Sequence, residues 1–86
     1  MDIHDVIKHP LSTEKSIRQM EAENTLLFVV HKAATKPEIK KAIEMVFSVK
    51  VKNVRTLISP RGEKRAYVKF SDETPAIDIA TRLGLM

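Results

Sequence analysis

The side chains with the most capacity for chemistry in this chain are cations. Lys32, Lys36, Lys40, Lys50, Lys52, Arg55, Arg61, Lys64, Arg65 and Lys69 are candidates for phosphate contacts, with Thr35, Asn53 and Thr56 as neutral hydrogen-bonding neighbours. From His31 to Lys69 eleven Lys or Arg stand against three Glu, a net +8, whereas residues 1–30 and 70–86 each carry −2. A basic middle between acidic ends fits a protein that lays one face on a polyanion. The plainer alternative is a lysine-rich solvated surface. Lys8, His9 and Lys15 of the N-terminal segment join the same candidate set.

Other chemistries find little support. His4, His9 and His31 make no i, i+4 pair, and with no cysteine in the chain there is nothing to complete a zinc set. Ser12, Ser16, Ser48, Ser59 and Ser71 lie in no nucleophile-elbow context. Gly62 and Gly84 are too few for a phosphate-cradling loop, and each has a sufficient role in a turn or a helix end. The acid pairs Asp2/Asp5 and Asp72/Glu73 read as solvated chain ends. No catalytic site, metal, cofactor or small-molecule substrate is therefore expected.

Base recognition on an aromatic sheet, in the manner of RRM domains, is also poorly supplied. Ala66-Tyr67-Val68-Lys69-Phe70 matches the tail of that strand motif, but Glu63, Lys64 and Arg65 stand where its glycine–aromatic pair belongs. The chain has four aromatic residues, and a core needs three of them. The longest apolar run, Leu26 to Val30, is far short of the roughly 20 residues that cross a bilayer. The acidic start Met1-Asp2-Ile3-His4-Asp5 is unlike a secretory leader.

The elements that position these cations follow from patterning. Asp5 to Lys8 reads as a short strand ended by Pro10. Ser12 or Thr13 then opens a helix with Glu14 in its first turn, a narrow Ile17/Met20 stripe, and a break at Asn24. Thr25 to Val30 is a strand with apolar residues on both faces, hence central and covered on both sides. Thr35-Lys36-Pro37-Glu38 is a capping box, followed by Ile39, Ala42, Ile43, Val46 and Phe47 on one helical face. Val49 to Ser59 is a strand, Pro60 to Glu63 a tight turn, and Lys64 to Phe70 a strand with Ala66, Val68 and Phe70 facing one way. Lys50 and Lys52 should share a face, as should Arg65 and Lys69, making a basic stripe. Thr74 caps a last helix with Pro75 at its first position, an inner face of Ala76, Ile79, Ala80 and Leu83, and Gly84 at its end.

A right-handed crossover and a hairpin place Lys64–Phe70 beside Thr25–Val30, with the N-terminal strand on the other side. The expected fold is a single α+β domain over residues 1–86, a mostly antiparallel sheet of about four strands with helices on both faces, an α/β/α sandwich.

Four blocks carry a family resemblance. Ile7-Lys8-His9-Pro10-Leu11-Ser12-Thr13-Glu14-Lys15-Ser16, Ala34 to Glu44, Val49 to Thr56, and Lys64-Arg65-Ala66-Tyr67-Val68 together resemble the universal large-subunit ribosomal protein numbered twenty-three. The resemblance implies a cytoplasmic protein of the large ribosomal subunit that binds its ribosomal RNA early in assembly and sits beside the polypeptide exit. It also implies a neighbouring ribosomal protein, numbered twenty-nine, and a docking platform that serves nascent-chain factors such as the signal recognition particle. The position whose acid contacts the bacterial ribosome-associated chaperone is Glu14 here. The minimal Ser59–Glu63 turn and the lack of a long basic N-terminal extension resemble the archaeal form rather than the bacterial one, whose long hairpin loop enters the tunnel. A protein-interaction module meeting an acidic partner is the second reading, and a ferredoxin-like small-molecule domain the third.

Overall fold

The computed structural model describes residues 3–11 and 13–84, apart from the side chains of Ile3, His4 and Glu14. Along them run α1 (Ile3–Val6), β1 (Ile7–Leu11), α2 (Glu14–Glu23), β2 (Thr25–Val30), α3 (Lys36–Phe47), β3 (Val51–Ile58), β4 (Lys64–Phe70) and α4 (Ala76–Arg82). The strands form one antiparallel sheet in the order β1-β2-β4-β3. The α+β class, the four-stranded antiparallel sheet and the central place of β2 are therefore as the sequence implies.

Local chemistry sets the helix boundaries. At the start of α2 the Thr13 hydroxyl accepts the Ser16 amide at 3.1 Å, and the Ser16 hydroxyl accepts the Thr13 amide at 2.7 Å. Thr13 is thus the cap; Ser12, the alternative, lies outside the described residues. α3 opens on its expected capping box. Thr35 Oγ1 accepts the Glu38 amide at 3.4 Å and Glu38 Oε1 accepts the Thr35 amide at 3.2 Å. Both helices end on a left-handed residue, Asn24 and Ser48, each at φ 55°. Asparagine tolerates that region better than most side chains.

Four expectations need correction. The segment expected as a strand over 5–8 begins instead with the single turn α1, and β1 then runs on through Pro10, which pairs with Phe28. β1 is an edge strand, where a residue without an N–H is tolerated. The strand expected from Val49 starts at Val51, because the amides of Val49 and Val51 are taken by the Glu44 carbonyl (3.3 Å) and carboxylate (3.0 Å) at the end of α3. Two residues assigned to inner helix faces are exposed: Ile17 at 39% and Val46 at 51%. They flank faces that Met20, Ile39, Ala42 and Ile43 already fill.

Thr74, finally, does not cap α4. Pro75 is the N-cap residue and has no side-chain bond to give. The Ala76 amide is accepted instead by Asn24 Oδ1 at 2.6 Å. The amide nitrogen of the same Asn24 points to the carbonyls of Phe70, Ser71 and Thr74 at 3.3, 3.2 and 2.9 Å. One side chain at the end of α2 thereby fixes the exit of β4 and the entry of α4.

The main core joins Leu26, Phe28 and Val30 of β2 and Ala66, Val68 and Phe70 of β4 to the buried residues of all four helices. Phe47 of α3 lies against Phe28, ring centroids 6.4 Å apart, which puts α3 on this face of the sheet. Arg82 of α4 donates to the Phe47 carbonyl at 3.2 Å, drawing the ends of α3 and α4 together. On the second face Leu27 and Val29 are buried, but they lie outside that cluster. The cover expected on this face does not extend over β3 and β4, whose outward residues are exposed or half-exposed.

Candidate nucleic-acid interface

The register of the strands decides which cations meet, because residues directly opposite on antiparallel strands share a face. Asn53 lies opposite Lys69, which lies opposite Thr25. Arg55 lies opposite Tyr67, and Tyr67 opposite Leu27, next to Leu11. Leu57 lies opposite Arg65, and Arg65 opposite Val29, next to His9. The open face of the sheet is therefore three rows whose β3 and β4 halves hold Asn53, Arg55, Arg65 and Lys69 around Tyr67. Arg65 and Lys69 do share a face, as their spacing implies.

Within these rows the guanidinium carbon of Arg55 sits 5.8 Å from the centre of the Tyr67 ring, inside cation–π range. Arg65 donates from Nε to Glu63 Oε1 at 3.1 Å, with both side chains about one-third exposed (33% and 37%). That carboxylate orients the guanidinium along the sheet and leaves the rest of its donor fork for another acceptor.

Lys50 and Lys52 do not continue the stripe in simple alternation. The β3–β4 register shifts between Val51 and Asn53, so Val51 and Val54 both face the core and Lys52 is the extra residue of a bulge. Both lysines are exposed, Lys50 ahead of the strand and Lys52 at its start.

A second group gathers at the hairpin end of the sheet. Lys8, His9, Lys32, Arg61 and Lys64 line one depression with Val29, Val30, Gly62 and Glu63. A bulge in β1 between Ile7 and His9 turns Lys8 outward. Gly62 holds φ +80°, and a β-carbon there would stand 3.8 Å from Lys32 Nζ, so the turn and the Lys32 ammonium are in contact distance. Lys64 is not free to reach outward: its ammonium donates to the Ala34 carbonyl at 2.6 Å and the Lys32 carbonyl at 3.5 Å. It ties the loop before α3 to the start of β4 and adds its charge from below.

The remaining candidates stand apart. Lys36 and Lys40 are exposed one turn from each other on α3, which covers the opposite face of the sheet. Lys15 is exposed on α2. Thr35 is occupied by its cap, bonding Glu38 through both N–H and hydroxyl. These bonds, the one from the backbone first, hold the Glu38 carboxyl below its ordinary range. Thr56 lies opposite Ala66, so it faces the core side of the sheet and is half-exposed. The Glu14 side chain lies outside the described residues. Among the described residues no group of three or more His, Cys, Asp or Glu is placed to hold a metal ion, and no helix is long and apolar enough to cross a membrane.

Two participants were missed. Alternation in β4 turns Tyr67 outward without giving it a role, and the sequence pattern says nothing of Glu23. With Thr25, Asn53, Arg55 and Lys69 they line one cleft on the open face. The signal for Tyr67 was its place between two outward cations; for Glu23 there was none, since its approach to β4 depends on the turn at Asn24.

The chain matches the family described as Ribosomal protein L23 over residues 5–79. A protein of Tetrahymena thermophila described as large ribosomal subunit protein uL23 is 43% identical over 86 residues, covering 100% of this chain and 57% of that protein. This chain thus spans little more than half of the Tetrahymena relative. A Methanococcus aeolicus protein of the same description is 46% identical over 85 residues, 99% of each chain. The expected resemblance therefore holds along nearly the whole length, and the chain belongs to the ribosomal protein L23 family.

Proposed function

We propose that this protein is a structural, non-catalytic constituent of the large ribosomal subunit in the cytoplasm, folding as one domain and binding large-subunit ribosomal RNA through its basic side chains. The observation that carries this reading is the gathering of Arg55, Arg65 and Lys69, with Asn53, on a sheet face that no helix covers at β3 and β4 among the described residues. Lys8, Lys32 and Arg61 at the hairpin end, with His9 beside them, extend the positive surface around one rim. The sheet fixes where these cations start, phosphate contacts supply affinity and the shape of folded RNA supplies selectivity. Lys15, Lys36, Lys40, Lys50 and Lys52 would reach RNA that wraps past this face.

The family resemblance supports a finer reading, in which the protein sits beside the polypeptide exit next to ribosomal protein twenty-nine and offers Glu14 to arriving factors such as the signal recognition particle. The turn at Pro60–Glu63 supports a form that stays at the rim, since it has no length to enter a tunnel.

The test is co-sedimentation of the tagged chain with large subunits, followed by titration of the pure protein against large-subunit RNA fragments at several salt concentrations. Affinity should fall steeply with salt, by about one logarithmic unit of slope per phosphate neutralised. Affinity that stays flat between low and physiological salt, or a chain found only outside ribosomal fractions, refutes the proposal.

A further inference from the structure

The cleft on the open face has a volume of about 240 Å³ and is lined by Glu23, Thr25, Asn53, Arg55, Tyr67 and Lys69. Pockets that enclose a whole small molecule run to roughly 300–1,000 Å³, so this one suits a single flat group resting on its floor. The floor is Tyr67 with the Arg55 guanidinium 5.8 Å from its ring centre, two planar surfaces of the kind on which nucleobases stack. Tyr67 is available because the other aromatics are not. Phe28 and Phe70 are buried and Phe47 packs against the core.

Polarity along the cleft adds a direction. Arg65 and Lys69 stand two residues to either side of Tyr67 on β4, on the same face. At the Lys69 end the rim carries Asn53, which both donates and accepts, and the Glu23 carboxylate, which accepts only. A carboxylate there repels a phosphate or an acidic side chain but accepts well from the N–H groups of a base edge. An acidic protein segment would meet that repulsion and leave the ring unused. The chemistry therefore favours RNA over an acidic peptide.

We infer that this cleft holds one unpaired RNA nucleotide, its base stacked on Tyr67 and Arg55, its edge at Asn53 and Glu23, and its phosphate at the opposite end on Arg65. The inference rests on the proposed RNA binding and assigns to one site a contact that charge alone does not make. It is a single-base site, distinct from the multi-aromatic platform for which the chain lacks residues.

The full chain is titrated with a short single-stranded RNA and with a paired hairpin of equal length, at two salt concentrations. Tyr67→Ala should weaken single-strand binding roughly five- to 150-fold without changing the salt slope, while Tyr67→Phe stays near the parent. Arg65→Gln should weaken both RNAs and lower the slope by about one. Independently of any variant, an RNA carrying 5-iodouridine should crosslink to the peptide containing Tyr67. A parent chain that binds RNA with a steep slope, yet is unaffected by Tyr67→Ala and crosslinks elsewhere, overturns the single-base site and leaves the general RNA reading standing. A parent chain that binds neither RNA overturns both.

Discussion

Asn24 offers the sharpest test of how this fold is held together. Its side chain reaches four backbone groups: it accepts from Ala76 N–H and approaches the carbonyls of Phe70, Ser71 and Thr74. An amide has two N–H bonds to give, so three carbonyl neighbours amount to two full donations, and the side chain makes about three effective bonds. Each intramolecular bond contributes roughly 0.5–1.5 kcal/mol net, which puts the whole set near 3 kcal/mol. Asn24→Gly isolates this quantity, because glycine accepts φ 55° without steric cost and removes only the side chain. Its greater unfolded-state entropy adds up to about 1 kcal/mol.

The expected loss of about 3–4 kcal/mol is a large share of the 5–15 kcal/mol typical of a domain. For a domain of this size it corresponds to a fall in Tm of roughly 12–32 °C. Asn24→Asp separates the two halves of the network. A carboxylate still accepts the Ala76 amide at the start of α4, but it donates nothing and faces three carbonyl oxygens. It should therefore destabilise at least as much as glycine at neutral pH and recover on acidification, when the protonated acid regains one donor. Urea unfolding followed by circular dichroism, with amide exchange at Ala76, measures both. If Asn24→Gly lies within about 0.5 kcal/mol of the parent and Ala76 remains protected, the bonds described here are not what fixes β4 to α4.

Other outcomes follow from the same contacts. Ile43→Ala should cost about 2–5 kcal/mol, since that side chain is fully buried, with urea unfolding as the measure. The pair Arg65→Gln and Lys69→Gln should change thermal stability by no more than about 0.5 kcal/mol each while weakening RNA binding; equal loss of folding would misplace the stripe. Glu38, its carboxyl held below the ordinary range by Thr35, contributes stability that is present above the unfolded carboxylate range and lost as pH falls through the folded value. Glu38→Gln should remove that part of the acid-side loss, and pH-dependent unfolding curves that superimpose for parent and variant would contradict it. Glu14→Lys should leave incorporation into subunits intact and reduce factor binding to purified ribosomes; normal binding of the signal recognition particle would leave Glu14 only its favourable place at a helix start.

What could be read from the sequence was what short-range chemistry decides. The Thr35/Glu38 box, the doubly apolar β2 and the alternation in β4 each lie within a few residues, and all appear where they were placed. Two of the misplacements, at the start of β3 and the start of α4, arise from side chains outside the local pattern. Glu44 holds back the start of β3 by binding amides five and seven residues ahead. Asn24 caps a helix 52 residues away, a service that no local pattern advertises. On the site, alternation put Arg65, Tyr67 and Lys69 on one side, but a one-residue bulge at Lys52 shifts everything that follows in β3. Only pairing across strands shows that Asn53 and Arg55, rather than Lys50 and Lys52, complete the face.

The two irregular strand margins have a consequence for the protein before it meets any ribosome. β1 and β3 are the outer strands, and a plain outer strand invites a second copy to add its own. Here β1 is spoiled twice over, by its bulge at Lys8 and by Pro10, and β3 is bent at Lys52. A free chain is in this way kept from stacking edge to edge with its siblings. The protection stops short of the far end of β3, where Leu57 and Ile58 are 41% and 60% exposed on an unbroken register. That end is where fibrous self-association of an unassembled chain would begin.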